Sequence, residues 1–226
     1  MAFRYVFAQW ELRFGAHAVN MRSATSFDGD DAALPHGKRI KLMPIGSILW
    51  PSALALCQAL VEEPALVAGK SVLDLGCGAG LCSVLAARLG ARVTASDAHP
   101  DMEALVAFNA QGNGVYVDYV PMDWDGGTAP GLFDAVIGSD VLYEAQQCNL
   151  VLDVLEKTLR PGGVAVLTDP GRPHLKRFVA KAYERGFECD TRDCVVNHTT
   201  HPSAEPVLHA HPPVKGPFQV MKLRKT

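Results

Sequence analysis

Short apolar segments alternate with helical segments through the middle of this sequence, and glycine or proline often stands where one segment ends. The apolar segments are predicted strands at 70–75, 91–96, 116–121, 133–138 and 164–168. Helices are predicted at 79–89, 102–109, 146–159 and 173–185. Strands that alternate with helices form βαβ units, so the chain is expected to fold around a mostly parallel sheet covered on both faces.

The two ends of the chain depart from this alternation. Residues 1–45 are predicted to be an irregular N-terminal extension, with a strand or short helix at 5–14 and a charged loop at 28–41. Near the C-terminus, strands are predicted at 188–197 and 219–223. Because a polar loop and no helix separates them, we expect an antiparallel edge pair. The predicted fold is α/β, with a seven-stranded, mostly parallel sheet. Two units are predicted, the N-terminal extension at 1–45 and one domain at 46–226.

Charge and cysteine content limit the function classes. The formal charge of −3 disfavours tight binding to nucleic acid or to an anionic membrane, because both require a basic surface. The six cysteines include no C-x-x-C pair, which indicates a reducing, cytoplasmic setting, and His198, His201, His209 and His211 are too loosely spaced for a zinc site. Residues 42–61 carry no charge, but prolines and polar residues interrupt them, so a loop and a buried helix starting at Pro51 are expected there.

A glycine-rich loop follows the first of the regular strands. It contains Asp74, Gly76, Cys77, Gly78 and Gly80, and a helix is predicted directly after it. Glycines allow a tight turn and a close approach to a ligand, which the helix N-terminus then faces. The dinucleotide fingerprint would require a third glycine where Leu81 stands, so the spacing is G-x-G-x-G instead.

Polar residues also follow the next two strands, at the edge where an open α/β sheet binds its ligand. Asp97 ends the second strand, and its carboxylate can accept both hydroxyls of a ribose. Asp123 and Trp124 follow the third strand, where an acid can accept from an adenine amino group and an indole can pack on the ring. Together with the glycine loop, these residues predict a nucleoside-containing ligand.

Residues 45–170, with this loop and these acids, resemble the class I S-adenosylmethionine-dependent methyltransferases, which have a Rossmann-like fold. The resemblance implies that S-adenosylmethionine is the cofactor. It also implies that the loop from Gly76 to Gly80 holds the amino-acid end of the cofactor, that Asp97 holds the ribose, and that Asp123 and Trp124 hold the adenine.

Two further motifs resemble the seven-strand protein lysine methyltransferases. Leu49-Trp50-Pro51-Ser52-Ala53 precedes the glycine loop, and Ser139-Asp140-Val141-Leu142-Tyr143 follows the fourth strand as a D-x-x-Y motif. The resemblance implies that Trp50 and Ser139 line the cofactor pocket. Residues 169–173, Asp-Pro-Gly-Arg-Pro, are similar to the branch that modifies the electron-transfer flavoprotein beta subunit, although the same residues also favour a simple turn.

The chemistry of methyl transfer gives Asp140 and Tyr143 catalytic roles. A lysine amine reacts only when neutral, although its ordinary pKa is about 10.4. The site therefore has to orient the amine, allow its proton to leave and exclude water. Asp140 can attract and position the ammonium, and Tyr143 can offer a hydroxyl and a ring face. Neither has to be a strong base, because the proton can be lost to solvent before transfer.

Other functions stay open on the sequence alone. The same cofactor could serve a small-molecule amine, and the fold could persist in a non-catalytic binding module. A nucleic-acid methyltransferase is disfavoured by the charge and by the lack of an N/D-P-P-Y/F motif, and a nicotinamide oxidoreductase by Leu81. The expected partner is a protein of unknown identity or a small amine, no metal is expected, and a monomer is the default.

Overall fold

The computed structural model describes residues 4–28, 44–125, 129–196, 199–200 and 217–225. The main elements, in chain order, are β1 (Arg4–Phe14), β2 (His17–Asp28), α1 (Pro51–Glu62), β3 (Ser71–Leu75), α2 (Leu81–Arg88), β4 (Arg92–Asp97), α3 (Asp101–Gly112), β5 (Asp118–Pro121), β6 (Phe133–Ser139), α4 (Gln147–Thr158), β7 (Leu159–Asp169), α5 (Leu175–Glu184), β8 (Phe187–Cys194), β9 (Thr199–Thr200) and β10 (Phe218–Lys225). Short 3-10 turns at Ile45–Ser47 and Pro64–Leu66 flank α1.

Seven strands form the central sheet in the order β5-β4-β3-β6-β7-β10-β8. The first five pair in parallel, whereas β10 runs antiparallel to both β7 and β8. The predicted seven-stranded α/β sheet is therefore confirmed, including the antiparallel pair, of which β8 occupies the edge. Strand order reverses between β3 and β6, and the ligand crevice of an open α/β sheet lies at such a point.

Side chains of the parallel strands alternate between two apolar clusters, one on each face of the sheet. In β3, Val72 belongs to one cluster and Leu73 to the other. Helices α1 and α2 cover the first face, where Leu56 and Leu85 are fully buried, and α4 and α5 cover the second, where Phe178 is fully buried. Because these five strands run parallel, their carboxyl ends lie at one rim of the sheet.

The N-terminal region differs from the irregular extension predicted for residues 1–45. The strand predicted at 5–14 is present as β1, but β2 pairs with it in a long antiparallel hairpin, so the irregular prediction is wrong for 17–28. Gly15, at a φ of +57°, makes the turn. Buried Leu12, Phe14, Val19 and Met21 belong to the same apolar cluster as α1 and α2. The alternation of apolar and polar residues in β2 is short, because the small or polar residues Ser23, Ala24, Thr25 and Ser26 follow it.

Backbone groups at three alternate positions on the outer edge of β2 are paired with other parts of the chain. The Asn113 side-chain amide accepts from the backbone N–H of Asn20 (2.9 Å) and donates to its carbonyl (2.6 Å). The Asn109 amide does the same at Arg22 (2.7 and 2.9 Å). Ala24, the next residue facing outward, forms a parallel bridge with Ile48. Asn109 of α3 and Asn113, which caps the end of that helix, thus bond the hairpin edge where a third strand would otherwise pair.

Several other predictions have a defined outcome. The chain passes from α4 straight into β7 at Leu159, five residues before the predicted strand at 164, with a register shift against β6. Helix α1 is buried along most of its length, as expected for the uncharged stretch, and within the described ranges no helix is long and apolar enough to cross a membrane. His198, His201, His209 and His211 lie outside the described residues.

Candidate active site

A cavity of about 640 Å³ opens where the parallel strands end. Its walls come from the turn before α1 and from the segments that follow β3, β4, β5, β6 and β7. The lining residues are Ile45, Gly46, Trp50, Gly76, Asp97, Ala98, His99, Asp123, Trp124, Ser139, Asp140, Val141, Tyr143, Glu144, Gln146, Gln147, Leu150 and Arg172. A smaller recess beside it is lined in part by Trp50, Gly76, Cys77, Gly78 and Ser139.

The glycine loop is packed against the turn that precedes α1. A Cβ on Gly78 would lie 2.5 Å from the carbonyl oxygen of Gly46, and Gly78 has a φ of +52°. A Cβ on Gly76 would lie 3.0 Å from the indole of Trp124. These two positions therefore require glycine because the cavity walls close on the loop, in addition to any need to admit a ligand.

The Asp97 carboxylate lies inside the cavity and is held by backbone groups. Its Oδ2 accepts from the N–H of Gly78 at 3.0 Å, and its Oδ1 accepts from the N–H of His99 at 3.0 Å. Burial raises the pKa of Asp97, while both backbone N–H groups and the neighbouring His99 oppose the increase. Each carboxylate oxygen keeps a second lone pair that can face the cavity.

Two of the predicted cofactor residues lie outside the lining of the cavity and the recess. Asp74 is 1% exposed and accepts from the hydroxyl of Ser83 at 2.6 Å, which ties β3 to the first turn of α2. Burial raises the pKa of Asp74 to about 7. Gly80 caps α2 in the left-handed region at a φ of +83°, where a Cβ would meet Val106 at 3.0 Å. Asp74 and Gly80 therefore support the conformation of the loop without lining the cavity or the recess.

The predicted aromatic and polar wall residues line the cavity together. Trp50 donates its indole N–H to the carbonyl of Ile45 at 2.9 Å, which fixes the turn that covers Gly78. Trp124 packs on Gly76, and the exposed Asp123 accepts from the N–H of Asp125 at 3.2 Å. Ser139 contacts both the cavity and the recess.

Asp140 follows β6 in an unusual backbone conformation. It has a φ of +59°, in the left-handed region that a residue with a side chain seldom occupies. Its N–H donates to the carbonyl of Thr168 on β7 at 2.9 Å, and its Oδ2 accepts from Ser52 at 3.2 Å. These contacts hold the carboxylate in the cavity beside Tyr143. Strained residues held by their surroundings occur often at functional sites.

Arg172 is a site residue that the sequence analysis quoted only as part of a turn motif. Its Nη1 lies 2.5 Å from Oδ1 of Asp140 and 2.8 Å from Oδ2 of Asp169. Burial raises the pKa of Asp140, and the charge of Arg172 opposes that increase. Because Arg172 comes three residues after the end of β7, the strand-end rule that identified Asp97 could also have identified it.

The structure thus brings Trp50, Gly76, Asp97, Asp123, Trp124, Ser139, Asp140 and Tyr143 to one cavity. Cys77 and Gly78 reach the adjoining recess. Sequence reasoning missed Ile45, Gly46, His99 and Glu144, which carry no recognisable motif and reach the cavity through the fold.

Comparison with known proteins places this arrangement among methyltransferases. The family described as lysine methyltransferase matches residues 38–181, which is more than half of the chain. A solved methyltransferase of 16S rRNA from Thermus thermophilus, in complex with AdoMet and guanosine, superimposes with a TM-score of 0.62. It shares 19% identity, and the match covers 99% of this chain and 51% of that one, so it supports the fold alone.

Curated relatives cover a part of the chain. The electron transfer flavoprotein beta subunit lysine methyltransferase of Xenopus laevis is 33% identical over 57% of this chain and 53% of its own length. The protein N-lysine methyltransferase METTL21A of Danio rerio is 32% identical over 56% and 61%. A ubiquinone biosynthesis O-methyltransferase of Xanthomonas euvesicatoria is 36% identical over 47% and 45%. This chain therefore spans about half the length of the curated relatives it matches.

Proposed function

The chain belongs to the lysine methyltransferase family, and we propose that it transfers a methyl group from S-adenosylmethionine to the side-chain amine of a lysine in a protein. One observation carries the proposal. A single cavity joins the glycine loop and Asp97 to Asp140 and Tyr143, so the methyl donor and the acceptor amine can meet there. The lysine methyltransferases among the relatives support a protein acceptor.

The cavity fits the cofactor in size and in chemistry. Its volume of about 640 Å³ lies within the range of about 300–1,000 Å³ that small-molecule sites occupy. Asp97 can accept the ribose hydroxyls with lone pairs that the N–H groups of Gly78 and His99 leave open. Trp124 and Asp123 would hold the adenine, and the loop from Gly76 to Gly80, with Trp50 and Ser139, would hold the amino-acid end. S-adenosylmethionine supplies an activated methyl group on its sulfonium.

The part of the cavity wall formed by Asp140, Tyr143 and Glu144, which we call the acceptor end, suits a lysine side chain. Asp140 and Glu144 place negative charge there, which attracts an ammonium group. Tyr143 can position the amine through its hydroxyl or ring face. Val141 and Leu150 line the cavity with apolar surface, which helps to exclude water once an acceptor is bound. The amine loses its proton to solvent before it reacts, so Asp140 has to orient the amine and does not have to remove the proton.

A small-molecule acceptor is the second candidate. The O-methyltransferase relative matches at slightly higher identity, although over a shorter part of the chain. The acidic acceptor end favours a cation, and therefore an amine, over a neutral hydroxyl compound. The size of the labelled product separates the two candidates.

The test is transfer of tritiated methyl from S-adenosylmethionine into a cell lysate that is split into macromolecular and small-molecule fractions. We expect label in a protein band that is recovered as methyllysine after hydrolysis. Asp140→Asn is the matched control, because it removes the charge and keeps the shape. We expect this variant to bind S-adenosylmethionine with wild-type affinity by calorimetry and to transfer no label. Label confined to small molecules would refute the protein acceptor.

We also propose that the protein acts as a monomer. We place it in the reducing cytoplasm, a proposal that the six free thiols support. The division into an extension at 1–45 and a methyltransferase domain at 46–226 stays a proposal. The hairpin of β1 and β2 shares the apolar cluster of α1 and α2, so we expect it to fold together with the domain.

A further inference from the structure

Arg172 places a fixed positive charge against Asp140 at the acceptor end of the cavity. Its Nη1 donates to Oδ2 of Asp169 at 2.8 Å, and the other oxygen of Asp169 accepts from the backbone N–H groups of Gly171 (2.8 Å) and Arg172 (2.7 Å). The Asp169 side chain is 0% exposed, and that of Arg172 is 24% exposed. Asp169 therefore holds Arg172 through both its backbone N–H and its guanidinium. Surface ion pairs lack such a restraint.

The charges around Asp140 come from three directions. Arg172 and Asp169 face it from the end of β7, and Ser52 donates to it from α1. On its own segment Tyr143 and Glu144 line the same cavity, and His174 bonds the carbonyl of Leu142. The guanidinium of Arg172 pairs with both carboxylates, those of Asp140 and Asp169. The ammonium of a bound lysine would balance that charge.

The Asp140 side chain lines the cavity and is 11% exposed. Its Oδ1 is buried against the guanidinium of Arg172, with Nη1 at 2.5 Å. An acceptor ammonium can therefore approach the carboxylate from the cavity while Arg172 keeps its contact with Oδ1. Without Arg172, burial would favour the protonated form of Asp140, which attracts no ammonium.

We propose that Arg172 is a positioning residue of the transfer reaction, which keeps Asp140 charged and oriented so that its carboxylate faces the amine of the acceptor lysine. The inference rests on the proposed function, because it assigns the acceptor end of the same cavity. It identifies Asp169 as the anchor that keeps the guanidinium in place.

The first test needs no acceptor. Protein labelled with ¹³C at the aspartate carboxyl groups is titrated by NMR, and the Asp140 signal is identified by its loss in Asp140→Asn. We expect the titration midpoint of Asp140 to rise by about one pH unit or more in Arg172→Met and to stay near the wild-type value in Arg172→Lys. Arg185→Met is the matched control, since Arg185 pairs with Asp153 and Glu156 away from the cavity. Circular dichroism establishes that each variant is folded.

The second test measures the pH profile of methyl transfer into the protein that the wild type labels. We expect the acid limb of Arg172→Met to move to higher pH, with about a tenfold loss in kcat/KM at pH values below the Asp140 midpoint, because there one unit of pKa corresponds to tenfold in the ionised fraction. Arg172→Lys should recover most of the rate, and cofactor affinity should be unchanged.

The outcomes separate the inference from the proposed function. If wild-type protein labels no protein, the proposed function fails, and the NMR titration still decides whether Arg172 controls the charge of Asp140. If the wild type is active while folded Arg172→Met keeps both the wild-type midpoint and the wild-type profile, the inference is overturned alone.

Discussion

The contact between Gly78 and the turn at Ile45–Ser47 makes a sharp prediction for Gly78→Ala. The new Cβ would lie 2.5 Å from the carbonyl oxygen of Gly46, so that oxygen has to retreat by roughly 1 Å to reach ordinary contact. The left-handed φ of +52° adds roughly 1–2 kcal/mol of strain for a residue with a Cβ. The retreat carries Gly46 and Ile45 out of the cavity wall and disturbs the bond from Trp50 to Ile45.

Gly114→Ala is the matched control, because Gly114 has a φ of +65° with nothing within 4 Å of the added Cβ. We expect both variants to melt at lower temperature, but only Gly78→Ala to weaken S-adenosylmethionine binding. The expected loss is at least about tenfold in Kd by calorimetry, or about 1.4 kcal/mol. Wild-type affinity in Gly78→Ala would refute the reasoning that the turn closes on the glycine loop to form the site. An equal loss in both variants would assign the effect to backbone strain alone.

Three further predictions concern single side chains. We expect Asp97→Ala to weaken S-adenosylmethionine binding by about 1.5–3 kcal/mol, because two ribose hydroxyls lose a charged acceptor; unchanged affinity by calorimetry would contradict this role. The pKa of Asp74 in the folded protein, about 7, lies above its ordinary value, so the folded state binds more protons than the unfolded state between about pH 4 and 7 and this group's contribution to stability falls as pH rises through that window. We therefore expect the stability of Asp74→Asn relative to wild type to increase from pH 5 to pH 7.5. The same difference in melting temperature between variant and wild type at both pH values would contradict the raised pKa. We expect Asn109→Ala to cost about 2–3 kcal/mol in urea unfolding, since the amide bonds Arg22 and the carbonyl of Ala79 from a buried position, whereas the more exposed Asn113→Ala should cost less.

Most of the central sheet was predictable because strands such as β3, β6 and β7 are buried on both faces, whereas the edge strand β5 is not. Apolar runs such as 133–138 and 164–168 therefore stand out against the polar segments around them. The hairpin strand β2 is different, because the alternation of Val19 and Met21 with polar residues is short and a run of small or polar residues follows it at 23–26. Its outer edge is bonded by Asn109 of α3 and by Asn113 at the end of that helix, which no local pattern in β2 reveals.

That several candidate residues meet at one cavity was predictable where they follow strand ends. Asp97, Trp124 and Asp140 were identified that way, and the structure places all three in one cavity. Gly46 and Arg172 were not predicted as site residues, because their positions depend on how the turn before α1 and the end of β7 fold back over the sheet. The sequence also could not show that Asp74 faces Ser83, since burial of a polar residue depends on tertiary contacts.

The covered edge of β2 has a consequence for how this protein avoids self-association. An exposed edge strand is a template on which another chain can add a strand, and aggregation often begins there. Asn113, Asn109 and Ile48 occupy the outward backbone groups of Asn20, Arg22 and Ala24 in turn, so an invading strand finds no free ladder along this stretch. The two amides therefore leave an added strand fewer free backbone groups to pair with along this stretch of β2, which is one way in which native proteins limit edge-to-edge association.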